Sequence, residues 1–114
     1  MEKEALKRIF EFLEEKGEHR IPLRWKLVNN IPLTKEDLNV KGDLDLSDLE
    51  ITSLPKGLKV GGDLDLYNTE IRLLPQGLKV GGYLYINTTP LTKYTDEELR
   101  EMIKPGFIKG KIKR

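Results

Sequence analysis

The sequence has no cysteine, a single histidine and no apolar run near 18 residues. Without cysteine, a disulfide framework, a cysteine-based zinc site and a thiol nucleophile are excluded. Because no apolar run is long enough for a membrane span or a signal-peptide core, we expect a soluble, cytoplasmic protein. Twenty basic and 19 acidic residues give a net charge of +1, so overall charge favours no class of partner.

The main positive feature is a 20-residue unit that recurs without insertion or deletion, beginning at Leu38, Leu58 and Leu78. Apolar residues recur at the same phase in each unit. In the segments LDL, LDL and LYI they are two residues apart, which predicts strands of about three to five residues. A fixed period of this size predicts a solenoid of stacked coils, in which these strands form a short parallel sheet.

Glycine and proline recur with the same period. Gly42, Gly62 and Gly82 share one phase, which predicts a corner with positive φ or close backbone approach. Lys41 stands where the two later units have a first glycine. We therefore expect the second glycine of each pair to be the required one.

The segment LDLYNTEIRLLPQGL, residues 64–78, resembles the leucine-rich repeat pattern L-x-L-x-x-N-x-L followed by L-P and a further leucine. The unit length is similar to the short bacterial class of these repeats. It also resembles small leucine-rich-repeat-like proteins of bacteria, phages and mobile elements, mostly of unknown function. The resemblance covers residues 38–91 and implies a short parallel-sheet array. The asparagine-ladder column reads Leu49, Thr69 and Thr89, so a flatter β-solenoid with two short sheets is the alternative to a horseshoe.

The flanking segments predict caps, since an array of three coils needs its ends covered. We interpret 1–114 as one α+β domain: an N-terminal capping helix at 1–17, a degenerate first coil at 18–37, three repeats at 38–94, and a C-terminal cap with a basic tail at 95–114. Residues 21–30 alternate in a strand-like way. Thr95 and Glu98 have capping-box spacing and predict a helix that ends before Pro105. Residues 107–112 form either an edge strand or part of the basic tail.

Strand alternation places one set of polar and aromatic residues on the outer face of the repeats. These are Asp43, Asp45, Asp63, Asp65, Tyr83 and Tyr85. Equivalent carboxylates about 4.8 Å apart repel one another, and aspartate is a poor strand former. One interpretation is a binding surface for a basic protein, with tyrosine anchors and carboxylates that steer association. The other is a solvated face that keeps a small sheet soluble.

Other candidate sites have weaker signals. The aspartates have no calcium-loop spacing, so we predict no metal and no cofactor. Nucleic-acid binding through the basic end, at Lys109, Lys111, Lys113 and Arg114, is the alternative function, against a solvated or edge-protecting role. His19 lacks a catalytic motif around it, so we expect an exposed histidine and no enzymatic activity.

The sequence therefore favours a protein–protein interaction module that presents an acidic and aromatic strand face. The resemblance implies a phage- or mobile-element-encoded inhibitor or adaptor. A narrower version is a nucleic-acid mimic directed at a DNA- or RNA-binding enzyme. The oligomeric state is left open.

Overall fold

The computed structural model describes residues 23–114 and divides the chain into two units, Met1–Pro32 and Leu33–Arg114. The predicted capping helix at 1–17 and the histidine His19 lie outside the described residues. Within the first unit the described part contains helix α1, Leu23–Val28.

Helix α1 corrects the strand-like interpretation of residues 21–30. The segment LRWKLV alternates over only a few residues, and a run that short does not distinguish strand from helix. Leucine, arginine and lysine are good helix formers, and Leu23 and Lys26, three residues apart, are both buried. The helix ends in a Schellman motif: Asn30 is left-handed with φ 54°, and the Ile31 N–H donates to the Lys26 carbonyl at 3.0 Å.

The second unit contains eight strands of two residues each. They are β1 (Asn39–Val40), β2 (Leu44–Asp45), β3 (Lys59–Val60), β4 (Leu64–Asp65), β5 (Lys79–Val80), β6 (Leu84–Tyr85), β7 (Phe107–Ile108) and β8 (Ile112–Lys113). A 3₁₀ helix (Pro90–Lys93) and helix α2 (Asp96–Met102) lie between β6 and β7. The strands are shorter than predicted because a corner precedes each even-numbered strand, and a turn follows β2, β4 and β6 within three residues.

The strands form two four-stranded parallel sheets. The first sheet has the order β1-β3-β5-β7 and the second has the order β2-β4-β6-β8. Val40 pairs with Val60 and Leu44 with Leu64, so the 20-residue period sets the register. Parallel pairing is confirmed, and the observation of two sheets agrees with the two-sheet alternative. We call each consecutive pair of strands a rung, so that β1 and β2 form rung 1 and β7 and β8 form rung 4.

The apolar columns predicted from the period form the core of the second unit. Fully buried members, each with 0% of its surface exposed, are Leu46, Leu58, Leu64, Leu66, Ile71, Leu78, Val80, Leu84, Ile86 and Leu91. Leu38 and Val40 in rung 1 are only half-buried. Buried threonines stand in place of an asparagine ladder, since the hydroxyls of Thr69 and Thr89 donate to carbonyls three residues earlier.

The turns after β2, β4 and β6 share a left-handed position. Asp48, Asn68 and Thr88 have φ values of 62°, 55° and 55°. Aspartate and asparagine adopt this conformation more readily than other side chains, and the Asn68 amide donates to the Asp48 carboxylate at 2.8 Å. Thr88 is β-branched, so the third turn is the strained member of the column.

The C-terminal segment begins as predicted and then continues the sheets. The capping box is confirmed: the Glu98 N–H donates to the Thr95 hydroxyl and the Thr95 N–H to the Glu98 carboxylate. Val80 then pairs with Ile108 and Leu84 with Ile112, an offset of 28 residues instead of 20. The segment from Phe107 is therefore a fourth rung, which supports the edge-strand interpretation over a free tail. The interval before it is eight residues longer and contains α2.

Candidate functional site

The outer surface of the second sheet brings together more charged residues than the sequence predicts. Asp45, Asp65, Tyr85 and Lys113 stand in register along the four rungs. The same pairing aligns Asp43, Asp63, Tyr83 and Lys111, each one residue before its strand. We call these eight residues the strand face. It includes all six predicted partner-binding residues and two of the four predicted nucleic-acid residues.

Two aspartates of the strand face bind the backbone of the next rung. The Asp43 carboxylate accepts the Asp63 N–H at 2.7 Å, and the Asp63 carboxylate accepts the Tyr83 N–H at 2.7 Å. A charge-assisted bond to an amide offsets part of the repulsion between stacked carboxylates. This explains why a poor strand former is tolerated in successive rungs.

The same carboxylates explain two of the three glycines in the column, whereas a Cβ on Gly42 would meet nothing within 4 Å. A Cβ on Gly62 would overlap the Asp43 carboxylate, and one on Gly82 would overlap that of Asp63. Close approach, and not positive φ, is therefore the requirement at these corners. The first glycines are also constrained, because a Cβ on Gly61 would overlap the Lys41 carbonyl oxygen. The expectation that only the second glycine is required is wrong.

The other two aspartates bind locally. The Asp45 carboxylate accepts the Ser47 N–H at 2.9 Å, and the Asp65 carboxylate accepts the Tyr67 N–H at 2.9 Å. Bonds from an aspartate to the amide two residues later close an Asx turn. Each of these four aspartates uses Oδ1 for its bond. The aspartates thus have a structural role in addition to any role in binding.

The two tyrosines lie edge to face in the third rung. The Tyr83 and Tyr85 ring centroids are 6.4 Å apart with an interplanar angle of 70°. Tyr83 is 40% exposed, and its ring lies against Gly110 of the next rung. The Lys113 Nζ is 5.2 Å from the centroid of the same ring, a cation–π distance. The tyrosines therefore join the acidic and basic ends of the strand face.

The pKa of Tyr85 is raised above its ordinary value of 10.0. Partial desolvation is the largest cause, followed by the negative charge of Asp63, with smaller contributions from Tyr83, Asp65 and Asp43. The phenol is neutral at physiological pH, as an unshifted tyrosine also is, and its O–H is available as a hydrogen-bond donor.

The four basic residues of the predicted nucleic-acid site do not form one patch. Lys111 and Lys113 belong to the strand face. Lys109 follows a strand of the first sheet, and its Nζ is 5.6 Å from the Phe107 ring centroid. The Arg114 guanidinium binds the carbonyls of Thr92 and Tyr94 and the carboxylate of Asp96.

Arg100 of helix α2 occupies the outer edge of rung 4. In earlier rungs, the carbonyl of the valine in the first sheet accepts an N–H from the next rung, as Val40 does from Gly61 at 2.8 Å. In rung 4 the equivalent carbonyl belongs to Ile108. It accepts from Arg100, which also donates to the Gly110 carbonyl at 2.9 Å. The side chain thus satisfies acceptors that a fifth rung would use.

A sequence signal for rung 4 was present. The order apolar, lysine, glycine, charged, apolar, charged occurs in VKGDLD at residues 40–45 and again in IKGKIK at residues 108–113. The eight extra residues hide this match from a search for a fixed period. The Arg100 contacts had no such signal, because they depend on where α2 packs.

Within residues 23–114, no group of three or more histidine, aspartate or glutamate side chains is arranged to hold a metal ion. None of the helices described in that range is long and apolar enough to cross a membrane. Comparisons with protein-family models, curated proteins and solved structures found no match.

Proposed function

We propose that this protein is a protein–protein interaction module whose binding surface is the strand face. The observation that carries the proposal is the pair of edge-to-face tyrosines between stacked carboxylates and lysines on one surface. Tyrosine supplies contact area at low conformational cost, and surrounding charges steer association. No metal, cofactor or catalytic residue has a part in this function.

Rigidity supports the proposal. Backbone bonds to the aspartate carboxylates fix the acidic side chains, and the Lys113 ammonium lies over the Tyr83 ring. A surface whose side chains are already ordered loses less entropy when it binds. The carboxylates can therefore stabilise the rungs and present negative charge to a partner at the same time.

In the finer form of the proposal, the two sheets belong to a capped solenoid that is leucine-rich-repeat-like, located in the cytoplasm. Parallel pairing at the repeat period supports the solenoid, and the cytoplasmic location rests on the sequence alone. The role of inhibitor or adaptor encoded by a phage or mobile element rests on the sequence resemblance alone. A nucleic-acid mimic is the narrower version, and the lysines at one end of the strand face count against it.

Nucleic-acid binding through Lys109, Lys111, Lys113 and Arg114 is the second candidate, and its geometry is less favourable. A phosphate backbone is bound by several cations that face it together. Here only Lys111 and Lys113 share a face, and Arg114 is engaged with Asp96 and two carbonyls. Steeply salt-dependent binding to bare nucleic acid, lost on changing the three lysines to glutamine, would favour this candidate.

The test is affinity capture from a nuclease-treated lysate with three matched baits. The first is wild type. The second changes the four aspartates of the strand face to asparagine and both tyrosines to alanine. Asparagine keeps an acceptor oxygen and removes the charge, so the rungs should remain intact. The third is a control that changes Lys59 and Lys79, which are paired on the first sheet, to glutamine.

All three baits must first show matching circular dichroism and melting temperature. A protein retained by wild type and by the lysine control, and lost by the strand-face variant, supports the proposal. Equal retention by all three baits contradicts it, because the binding surface would then lie elsewhere on the chain.

A further inference from the structure

The strand face changes character along the array in a regular order. Rungs 1 and 2 contribute aspartates, rung 3 contributes tyrosines and rung 4 contributes lysines, in two columns that stand in register. A uniformly basic partner would pair with the first two rungs and be repelled by the last. A well-matched partner therefore needs cations at one end of its surface, anions at the other, and hydrogen-bond acceptors near the tyrosines.

The strand face itself has this composition when it is turned end for end. A two-fold axis parallel to the strands, between rungs 2 and 3, exchanges rung 1 with rung 4 and keeps each column opposite itself. Asp43 then lies opposite Lys111 of the other copy, and Asp45 opposite its Lys113. The aspartates of rung 2 lie opposite the tyrosines of rung 3, whose phenol groups can donate to carboxylates. Every rung is complementary under this one operation.

We propose that the protein partner of the strand face is a second copy of this chain, joined face to face about that two-fold axis. The rungs of the two copies then run in opposite order. The inference rests on the proposed function, because it names the partner of the same surface. Lys111 and Lys113 of the second copy supply the basic surface that the aspartates require.

The arrangement at the end of the array favours this geometry over stacking end to end. Within the described chain no strand pairs with the outer edge of rung 4, yet Arg100 already donates to the carbonyls of Ile108 in β7 and of Gly110 after it. A second copy that added a fifth rung would have to displace these bonds. Face-to-face pairing leaves them intact.

The dimer should be weak and sensitive to salt. Four rungs at about 4.8 Å spacing span only about 14 Å. A face of that length and two side-chain columns in width has a smaller area than the roughly 800 Å² that each partner buries in a stable complex. The contacts are largely between charged groups at an accessible surface, so added salt screens them. We expect reversible dimers at high protein concentration and low ionic strength.

The first measurement is sedimentation equilibrium of the purified full chain at about 0.02 M and about 0.5 M salt. We expect a monomer–dimer equilibrium at low salt that weakens at least about tenfold at high salt. The variant Lys111→Glu places like charges opposite each other and should abolish dimers. Lys59→Glu, the matched control on the first sheet, should leave the equilibrium unchanged.

A charge exchange tests the pairing itself. Lys111→Glu makes an acidic variant and Asp43→Lys makes a basic one; each alone should be monomeric, and their mixture should form a one-to-one heterodimer. Because Asp43→Lys also removes an acceptor from the Asp63 N–H, its melting curve is measured first. If that variant does not fold, Asp43→Asn replaces it and should weaken the wild-type dimer.

Two outcomes overturn the inference. One is a wild-type chain that stays monomeric at about 1 mM in low salt. The other is a dimer that Lys111→Glu leaves intact, since the contact would then lie elsewhere. Neither result removes the proposed function, because capture of a different protein through the strand face is measured separately. A chain that neither dimerises nor retains any protein through the strand face would remove the two proposals together.

Discussion

Rungs 2 and 4 both pair in parallel register and have opposite surface charge. Both have a β-branched residue, a corner glycine and an aliphatic residue at the start of the second strand, at Val60, Gly62 and Leu64 and again at Ile108, Gly110 and Ile112. The outward positions are aspartates in rung 2 and lysines in rung 4. The two rungs also follow intervals of different length, 20 and 28 residues.

The inward-facing residues of a rung are fixed by the fold, and its outward-facing residues can vary. In these two rungs the inward columns pack in the core, and the corner glycine leaves room for atoms of the preceding rung. The outward columns change sign without changing the pairing. The residue types on the strand face are therefore free to serve binding. The one constraint is that an aspartate in one rung can also bind the amide of the next.

The largest expected effect is in the core. Leu64→Ala should destabilise the protein by about 2 to 5 kcal/mol, because it leaves a cavity between neighbouring rungs at a fully buried site. The equivalent change in the last rung, Ile112→Ala, should cost less, since that side chain is 7% exposed and has a neighbouring rung on one side only. Urea unfolding of both variants measures the difference. Equal losses would mean that rung 4 is packed as fully as rung 2.

The next effect concerns the edge of rung 4. Arg100→Ala should destabilise by about 1 to 3 kcal/mol, because two carbonyls lose a charged donor. Arg100→Lys should recover part of this loss, since an ammonium cannot reproduce the forked geometry of a guanidinium. Thermal melting of both variants checks the order. An unchanged melting temperature for Arg100→Ala would show that the edge does not need this cap.

A smaller effect tests the link between rungs 2 and 3. Asp63→Ala removes the acceptor of the Tyr83 N–H and should cost about 1 kcal/mol. Asp63→Asn keeps a carbonyl oxygen at that position and should cost less. Denaturant unfolding of the pair separates the bond from the charge. If both variants lost the same stability, the carboxylate charge and not the bond would be the stabilising feature.

The smallest effect depends on pH. The pKa of Tyr85 is raised above 10.0, so folding favours the neutral phenol. The resulting stability is fully present below pH 10.0 and is lost as pH rises through the folded-state pKa. Tyr85→Phe should therefore lose less stability than wild type above that pH. It should also remove an absorbance phase with a midpoint above 10.0, and an unchanged titration curve would contradict the assignment.

Local and periodic features were predictable from the sequence. The apolar columns repeat at a fixed spacing, and the capping box at Thr95 and Glu98 depends on residues three apart. Both follow from geometry within one element or one repeat. The prediction for 21–30 was wrong because six alternating residues satisfy a helix and a strand equally well.

Features that depend on contacts between rungs were not predictable. The Asp43 bond to the Asp63 amide joins residues 20 apart, and its existence follows from register and side-chain rotamer together. The position of Lys111 beside Tyr83 required the length of the preceding interval. The helix in that interval was predicted, but the return of the chain to register after it was not. The sequence therefore predicted the aspartates and tyrosines of the strand face and not its basic end.

The interval between β6 and β7 has a practical consequence for anyone who builds on this scaffold. The chain leaves the array after the third rung, forms a complete helix, and returns to the correct register. The interval between β6 and β7 is thus a natural point for grafting. A foreign peptide or a second helix inserted there would be displayed without breaking the strand pairing. The repeat is best defined by where the chain re-joins its neighbours, and not by how many residues it takes to return.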